Sequence, residues 1–146
     1  MGDKLKEMFL ITKKPIDISR VIESVRAKSS GAIALFVGTV RDGGNGQEVI
    51  GMYYESYDKM AKLILEEIEN QVNLKWKVSK FLVVHRIGNL NIADISVAVA
   101  ISARHRKEAF GACKYTMEAI KRKVPIWKKE VTADGSFWVK GHLLGG

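Results

Sequence analysis

The sequence predicts an α+β fold, a mixed sheet with flanking helices, and two observations carry that prediction. Segments with the apolar character of strands alternate with segments whose apolar residues recur every three or four positions, but without the strict strand–helix–strand repeat of a doubly wound sheet. No linker, internal repeat or low-complexity segment divides the 146 residues, so residues 1–146 read as one domain with 141–146 as a short C-terminal tail.

Taken in order, "EMFLIT" reads as a first strand ended by Pro15. "DISRVIESVRAKSSG" follows as a helix, with Asp17 as N-cap, Ile18, Val21, Ile22 and Val25 on one face, and Ser29-Ser30-Gly31 closing it. "AIALFVGTV" has the small, branched and aromatic apolar content of a buried strand. "RDGGNGQ" interrupts it with three glycines and "VIGMYYES" resumes as strand, which predicts a hairpin with a loop at its tip. "YDKMAKLILEEIENQVNLK" is a second helix with Met60, Leu63, Ile64, Ile68 and Val72 inward. "WKVSKFLVVHRIG" and "ADISVAVAIS" are two further strands, joined by the turn "GNLN". "ARHRKEAFGACKYTMEAIKRKV" is a long helix facing the core through Phe110, Cys113, Met117, Ile120 and Val124. Pro125 stops it by disfavouring helical geometry in the residue before. "IWKKEVTADGSFWVK" supplies two short strands around Asp134-Gly135.

Apolar residues make up 47% of the chain and charged residues 27%, a globular composition. The formal net charge of +8 calls for an anionic partner without separating a metabolite phosphate from a nucleic acid. No apolar run approaches the roughly 18 residues of a bilayer span. The N-terminus shows no signal region, Gly2 has no Ser or Thr where a myristoylation signal expects one, and a single cysteine fits a reducing compartment. These features read as a cytoplasmic protein with no membrane association. Nucleic-acid binding has the charge in its favour but none of the recognition motifs.

His85, His105 and His142 have no Cys or second His at ligand spacing, so no metal site is expected. Cys113 lies on the apolar face of the long helix and reads as a small core hydrophobe. The glycines after Val40 are not followed by Gly-Lys-Ser/Thr and a helix, which argues against a P-loop. Arg41 stands where an apolar strand gives way to a glycine-rich loop; it is either an anion-binding residue or a surface arginine. In "SARHR", Ser102 is placed as a helix cap, leaving Arg104, His105 and Arg106 in the first turn. Cations there oppose the helix dipole, so the segment either offers an anion site or is neutralised by glutamates such as Glu108. His85-Arg86 is read as a structural pair bonding the turn that follows. "KRKVPIWKKE", with five basic residues in ten, is a solvated helix end, a nucleic-acid patch or the wall of an anion pocket. Arg122 and Lys123 suit a helix C-terminus. Lys121 borders the apolar face one turn after Met117, and Lys128 lies beyond the Pro125 corner, where partial desolvation lowers a lysine pKa and fits it for proton transfer.

"GAIALFVGTVRD", "YESYDKMA", "VVHRIGNL", "SARHRKEAF" and "IKRKVPIWKKE" occur in this order, and together they resemble the signature segments of the large, catalytic subunit family of molybdopterin synthase. The resemblance runs from about Lys6 to Val139. It implies an α/β hammerhead-type fold and a central homodimer. A small ubiquitin-like sulfur-carrier subunit binds each end of that dimer, making a heterotetramer. The C-terminal Gly-Gly thiocarboxylate of the small subunit threads into a pocket, and two sulfurs pass to cyclic pyranopterin monophosphate to form the dithiolene of molybdopterin. The implied enzyme is a sulfurtransferase with no permanently bound cofactor.

Carried over by position, Phe36 and Arg41 line the pocket, with Thr39 and Val40 contributing backbone. His105 and Arg106 bind the substrate phosphate, and Met117 packs beside the site. Lys121 and Lys128 are the principal catalytic lysines, with Lys129 and Glu130 next to them. His105 and Lys121 are sixteen residues apart on one expected helix, about 24 Å at helical rise, farther than a pterin monophosphate spans. If both serve one site, they come from different subunits across a two-fold axis. The chain ends "WVKGHLLGG", where family members often carry a longer basic tail. Its Leu-Leu-Gly-Gly resembles the small subunit's own C-terminus.

Overall fold

The structure, a computed structural model, describes residues 9–43, 48–133 and 135–138. The tail from 141 to 146, with the Leu-Leu-Gly-Gly and His142 readings, lies outside the described residues, as do Lys140, Asp134 and residues 44–47 of the glycine-rich segment. The elements run β1 (Phe9–Thr12), α1 (Ile18–Val25), β2 (Ala32–Thr39), β3 (Val49–Ser56), α2 (Asp58–Lys75), β4 (Val78–Arg86), β5 (Gly88–Asn91), β6 (Ile95–Ala103), α3 (Arg106–Lys123), β7 (Ile126–Thr132) and β8 (Gly135–Trp138). This is the α+β class expected, with the strands divided between two four-stranded sheets.

The first sheet has the order β1-β4-β6-β2 and is mixed, because β1 runs parallel to β4 while the other pairs are antiparallel. Side chains alternate between its faces. Leu82, Val84, Ala98 and Ala100 meet Val21 and Val25 of α1 on one face. Phe81, Val83, Val99 and Ile101 point to the other face, where α2 and α3 pack through Leu65, Ile68, Val72, Ala112 and Ile120. The second sheet, β5-β3-β7-β8, is antiparallel and joins the same core through Met52, Tyr54, Leu90 and Ile126.

Several sequence expectations are corrected here. β2 and β3 do not form a hairpin: β2 pairs with β6, whereas β3 pairs with β5 and β7, so the segment between them crosses from one sheet to the other. "GNLN" is not a turn but the strand β5, and the connection to β6 is made by residues 92–94, with Ala93 at φ 75°. α1 ends at Val25 rather than at Ser29, because Arg26 is extended; a tight turn closed by Ser30 N–H on the Ala27 carbonyl follows. Asp17 does cap α1, accepting from the Arg20 N–H at 3.3 Å.

The inner faces of the long helices also differ. α2 buries Ala61, Leu65, Ile68 and Val72, while Met60 and Leu63 are exposed. α3 buries Ala109, Ala112, Cys113, Thr116, Ala119 and Ile120, while Phe110 is 67% exposed. In both helices alanines sit at the close approach to the rest of the fold, so a reading that follows large apolar residues picks a neighbouring stripe. Ser102 is a fully buried residue of β6, and His105 is the N-cap of α3.

Candidate active site

The end of β2 brings the first wall. Val40 is pinned on both sides of its peptide, its N–H donating to the Asp94 carbonyl at 3.0 Å and its carbonyl accepting from the Ala93 N–H at 2.6 Å. Arg41 thus leaves a fixed backbone, although its side chain is exposed. α3 brings the second wall, with Met117, Ile120 and Lys121 on one side of its last turns. The corner after it is buried at Val124 and Pro125, and the Pro125 carbonyl accepts from the Tyr57 N–H at 3.2 Å. That bond ties the corner to the start of α2 and sets the direction in which β7 departs.

β7 brings the third wall by alternation. Lys128 and Glu130 share one face, directly across from Tyr54 and Met52 of β3. Lys129 falls on the opposite face, its ammonium 5.3 Å from the Tyr53 ring centre. These walls enclose a cavity of about 600 Å³ lined by Phe36, Thr39, Val40 and Arg41, by Met117 and Lys121, and by Lys128 and Glu130. A volume of this order suits a small metabolite.

Burial pushes the Lys128 pKa below the ordinary lysine value. The Glu130 carboxylate opposes that shift, while the positive charges of Lys121 and Arg41 add to it. Three cations against one carboxylate make the cavity a receptor for an anion, and a half-buried lysine with a depressed pKa is fitted for proton exchange.

Most of the expected site residues are therefore brought together, and three are not. His105 and Arg106 are exposed at the N-terminal end of α3, the far end from Lys121, and Lys129 faces away from the cavity. Sequence reasoning missed Met52, Tyr54 and Ser96, which line the cavity. Met52 and Tyr54 share the parity of Glu130 and Lys128, a signal readable only once β3 is known to pair with β7. Ser96 is turned inward by an irregularity in β6.

The other candidates have structural roles. His85 is fully buried and its Nδ1 lies 2.8 Å from the Arg86 carbonyl, to which it donates. Burial lowers its pKa to about 4 against the opposing effect of that bond. Arg86 reaches Asp94 at 3.5 Å, and the same carboxylate oxygen accepts from the Asn91 N–H at 2.9 Å, so Arg86 but not His85 secures a turn, and that turn is the one after β5 rather than the expected "GNLN". Cys113 is buried, and its thiol pKa is pushed up to about 11 by that burial, leaving little nucleophilic thiolate near neutrality.

A family model described as MoaE protein matches residues 11–123. This chain belongs to the MoaE family. Among relatives, the molybdopterin synthase catalytic subunit of Bacillus subtilis is 42% identical over 94% of this chain and 87% of that protein. The catalytic subunit of the same name from Pyrococcus abyssi is 40% identical, covering 93% of each. Among solved structures, a molybdopterin synthase from Staphylococcus aureus superposes with a TM-score of 0.86 at 41% identity, over 90% of this chain and 96% of that one. The MoaE fold extends to a complex of subunits 1 and 2 of the molybdopterin-converting factor from Helicobacter pylori, at TM-score 0.78, 23% identity and coverage of 91% and 90%. No helix among the described residues is long and apolar enough to cross a membrane.

Proposed function

We propose that this MoaE-family chain is the catalytic subunit of a molybdopterin synthase, a sulfurtransferase acting in cytoplasmic cofactor biosynthesis. Its substrate is cyclic pyranopterin monophosphate, and the sulfur arrives as the C-terminal thiocarboxylate of a small ubiquitin-like subunit. The observation that carries this reading is the placement of Lys121 and Lys128 on either side of the buried Pro125 corner, facing one cavity with Arg41. Such a group neutralises a phosphate and a thiocarboxylate together, which bare solvent cannot do without separating them.

Within this reading Phe36 and Met117 form apolar walls, and Thr39 and Val40 hold Arg41 in place. Lys121 faces the incoming Gly-Gly carbonyl. Lys128, whose proton burial makes easier to lose, serves as the acid that opens the cyclic phosphate or assists departure of water, and Glu130 opposes that effect of burial. Each transfer forms one carbon–sulfur bond on the pterin side chain and leaves the tail as a carboxylate whose new oxygen comes from water. The chain binds no resident cofactor. It functions as a homodimer carrying a small subunit at each end, with His105 and Arg106 of one protomer completing the site of the other.

Reconstitution tests this directly. The chain, a thiocarboxylated small subunit and cyclic pyranopterin monophosphate should yield dithiolene-containing molybdopterin. Absence of product from correctly assembled complex would refute the assignment.

A further inference from the structure

The end of β2 is fastened residue by residue as it approaches Arg41. Gly38 pairs with Val97 and Thr39 with Ile95, so Ser96 is an extra residue on β6, a bulge. Its hydroxyl donates to the Gly38 carbonyl at 3.2 Å. Val40 bonds instead to the turn that precedes β6, its carbonyl accepting from Ala93 and its N–H donating to the Asp94 carbonyl. On the far side of Arg41, the Asp42 carbonyl accepts from the Val49 N–H at 3.3 Å. Arg41 therefore sits between two fastened neighbours.

The turn that clamps Val40 holds a strained residue. Ala93 has φ 75°, in the left-handed region that a Cβ disfavours and that Gly or Asn adopts more readily. Such a residue persists where the surrounding bonds over-determine it. Asp94 supplies those bonds. Its N–H donates to the Asn91 carbonyl at 3.0 Å, its Oδ2 accepts from the Asn91 N–H, and the same oxygen meets Arg86. Asn91 belongs to β5 and Arg86 to β4, so one carboxylate ties the turn to both sheets. Joining β5 to β6 requires neither a left-handed alanine nor a doubly bound carboxylate; a glycine in a short loop would do that. What the arrangement adds is an N–H and a carbonyl held at the spacing of one peptide, and that peptide leads into Arg41.

We propose that Asp94 is a positioning residue for Arg41: by closing the 91–94 turn it holds the Val40 peptide and so directs the guanidinium to an oxyanion of the bound molecule. On the reaction proposed above, on which the naming of that oxyanion rests, it is the phosphate of cyclic pyranopterin monophosphate or the thiocarboxylate of the small subunit.

Asp94→Ala opens the turn and leaves the side chains of the cavity in place. In the assembled complex, KM for cyclic pyranopterin monophosphate or for the thiocarboxylated subunit should rise about tenfold with kcat nearly kept, and the arm that moves identifies the oxyanion. Asp94→Asn, whose amide oxygen still accepts from the Asn91 N–H, should recover most of the loss. In an Arg41→Ala background Asp94→Ala should add nothing, because the residue it positions is gone. Effects of the two changes that multiply overturn the proposal, as do unchanged KM values in both arms at unchanged Tm.

Amide exchange tests the same coupling without turnover. Asp94→Ala should speed exchange of the Ala93 and Val40 N–H groups about tenfold or more, and equal rates overturn the proposal. If Asp94→Ala does not fold, the parent chain carries the test: bound cyclic pyranopterin monophosphate or thiocarboxylated subunit should slow exchange at both amides, and no slowing with either overturns it. A parent complex that yields no molybdopterin removes the assigned reaction, while the exchange rates of Asp94→Ala still decide the role of Asp94.

Discussion

His85 lies edge-on to Tyr54, with ring centroids 5.1 Å apart and planes at 69°. The contact seats a cavity residue on a fully buried imidazole whose Nε2 has no hydrogen-bond partner among the described residues. With a folded pKa of about 4 against an ordinary 6.5, His85 stays neutral in the fold while the unfolded chain takes up a proton. Between those two values the unfolded state binds more protons, so stability falls as pH is lowered through the window, by at most about 1.4 kcal/mol per pH unit from this one group. Urea unfolding at pH 7.5, 5.5 and 4.5 should show this decline, and His85→Phe should flatten it. An unaltered slope in His85→Phe would assign the acid sensitivity elsewhere.

Lys128 combines a functional gain with a stability cost. Its charged form is disfavoured in the fold, so between its depressed pKa and 10.5 the unfolded chain holds more protons and native stability rises with pH. Lys128→Met should therefore be more stable than the parent at neutral pH, with the difference shrinking as pH approaches 10.5. The same variant should lose on the order of 100-fold or more in turnover. Paired denaturation and rate measurements check both halves, and a Lys128→Met chain that is less stable at neutral pH would contradict the desolvation argument.

The two ends of α3 should complement across a dimer. A chain carrying His105→Ala and a chain carrying Lys121→Ala should each be inactive as homodimers. Mixed dimers should regain roughly one intact site, because in one of the two cavities the His105→Ala protomer supplies Lys121 while the Lys121→Ala protomer supplies His105. Mixed dimers as inactive as the parents would exclude a shared site.

Gly111 permits the close packing of α3 against the end of α2. A Cβ there would come within 2.5 Å of Trp76 Nε1 and 3.0 Å of its Cε2, so the indole, tilted against Tyr115 at 5.5 Å, has to move. Gly111→Ala should destabilise the protein by about 1–3 kcal/mol despite the better helix propensity of alanine. The midpoint of urea unfolding measures it, and a rise in that midpoint would show that the indole relocates freely.

Local signals carried the helices, the stop at Pro125 and the last strand pair, because capping, proline sterics and periodicity act within a few residues. The expected gathering of Arg41, Lys121 and Lys128 came from the family resemblance; the residues by themselves left Arg41 open between an anion ligand and a surface charge. The partition of strands was not legible. Two apolar strands flanking a glycine-rich segment look the same whether they pair with each other or cross between sheets, and "GNLN" has turn composition although it pairs as β5. The inner faces of α2 and α3 were obscured because Ala61 and Ala112 carry little hydrophobic signal although both are fully buried. Tyr54 and Ser96 were hidden for a related reason, since a strand register and a bulge decide where their hydroxyls point.

The crossing between sheets has a consequence for how the molecule gains and loses activity. The cavity draws on five separate stretches of chain, represented by Arg41, Met52, Val99, Lys121 and Lys128, so no contiguous stretch owns it. Such a high-contact-order arrangement exists only after the long-range pairings have formed. Function and fold should then melt as one transition, and ligand should raise the melting temperature of the whole chain rather than protect a part. A peptide bearing "KRKVPIWKKE" alone would keep the cations and have nothing to hold them around a substrate.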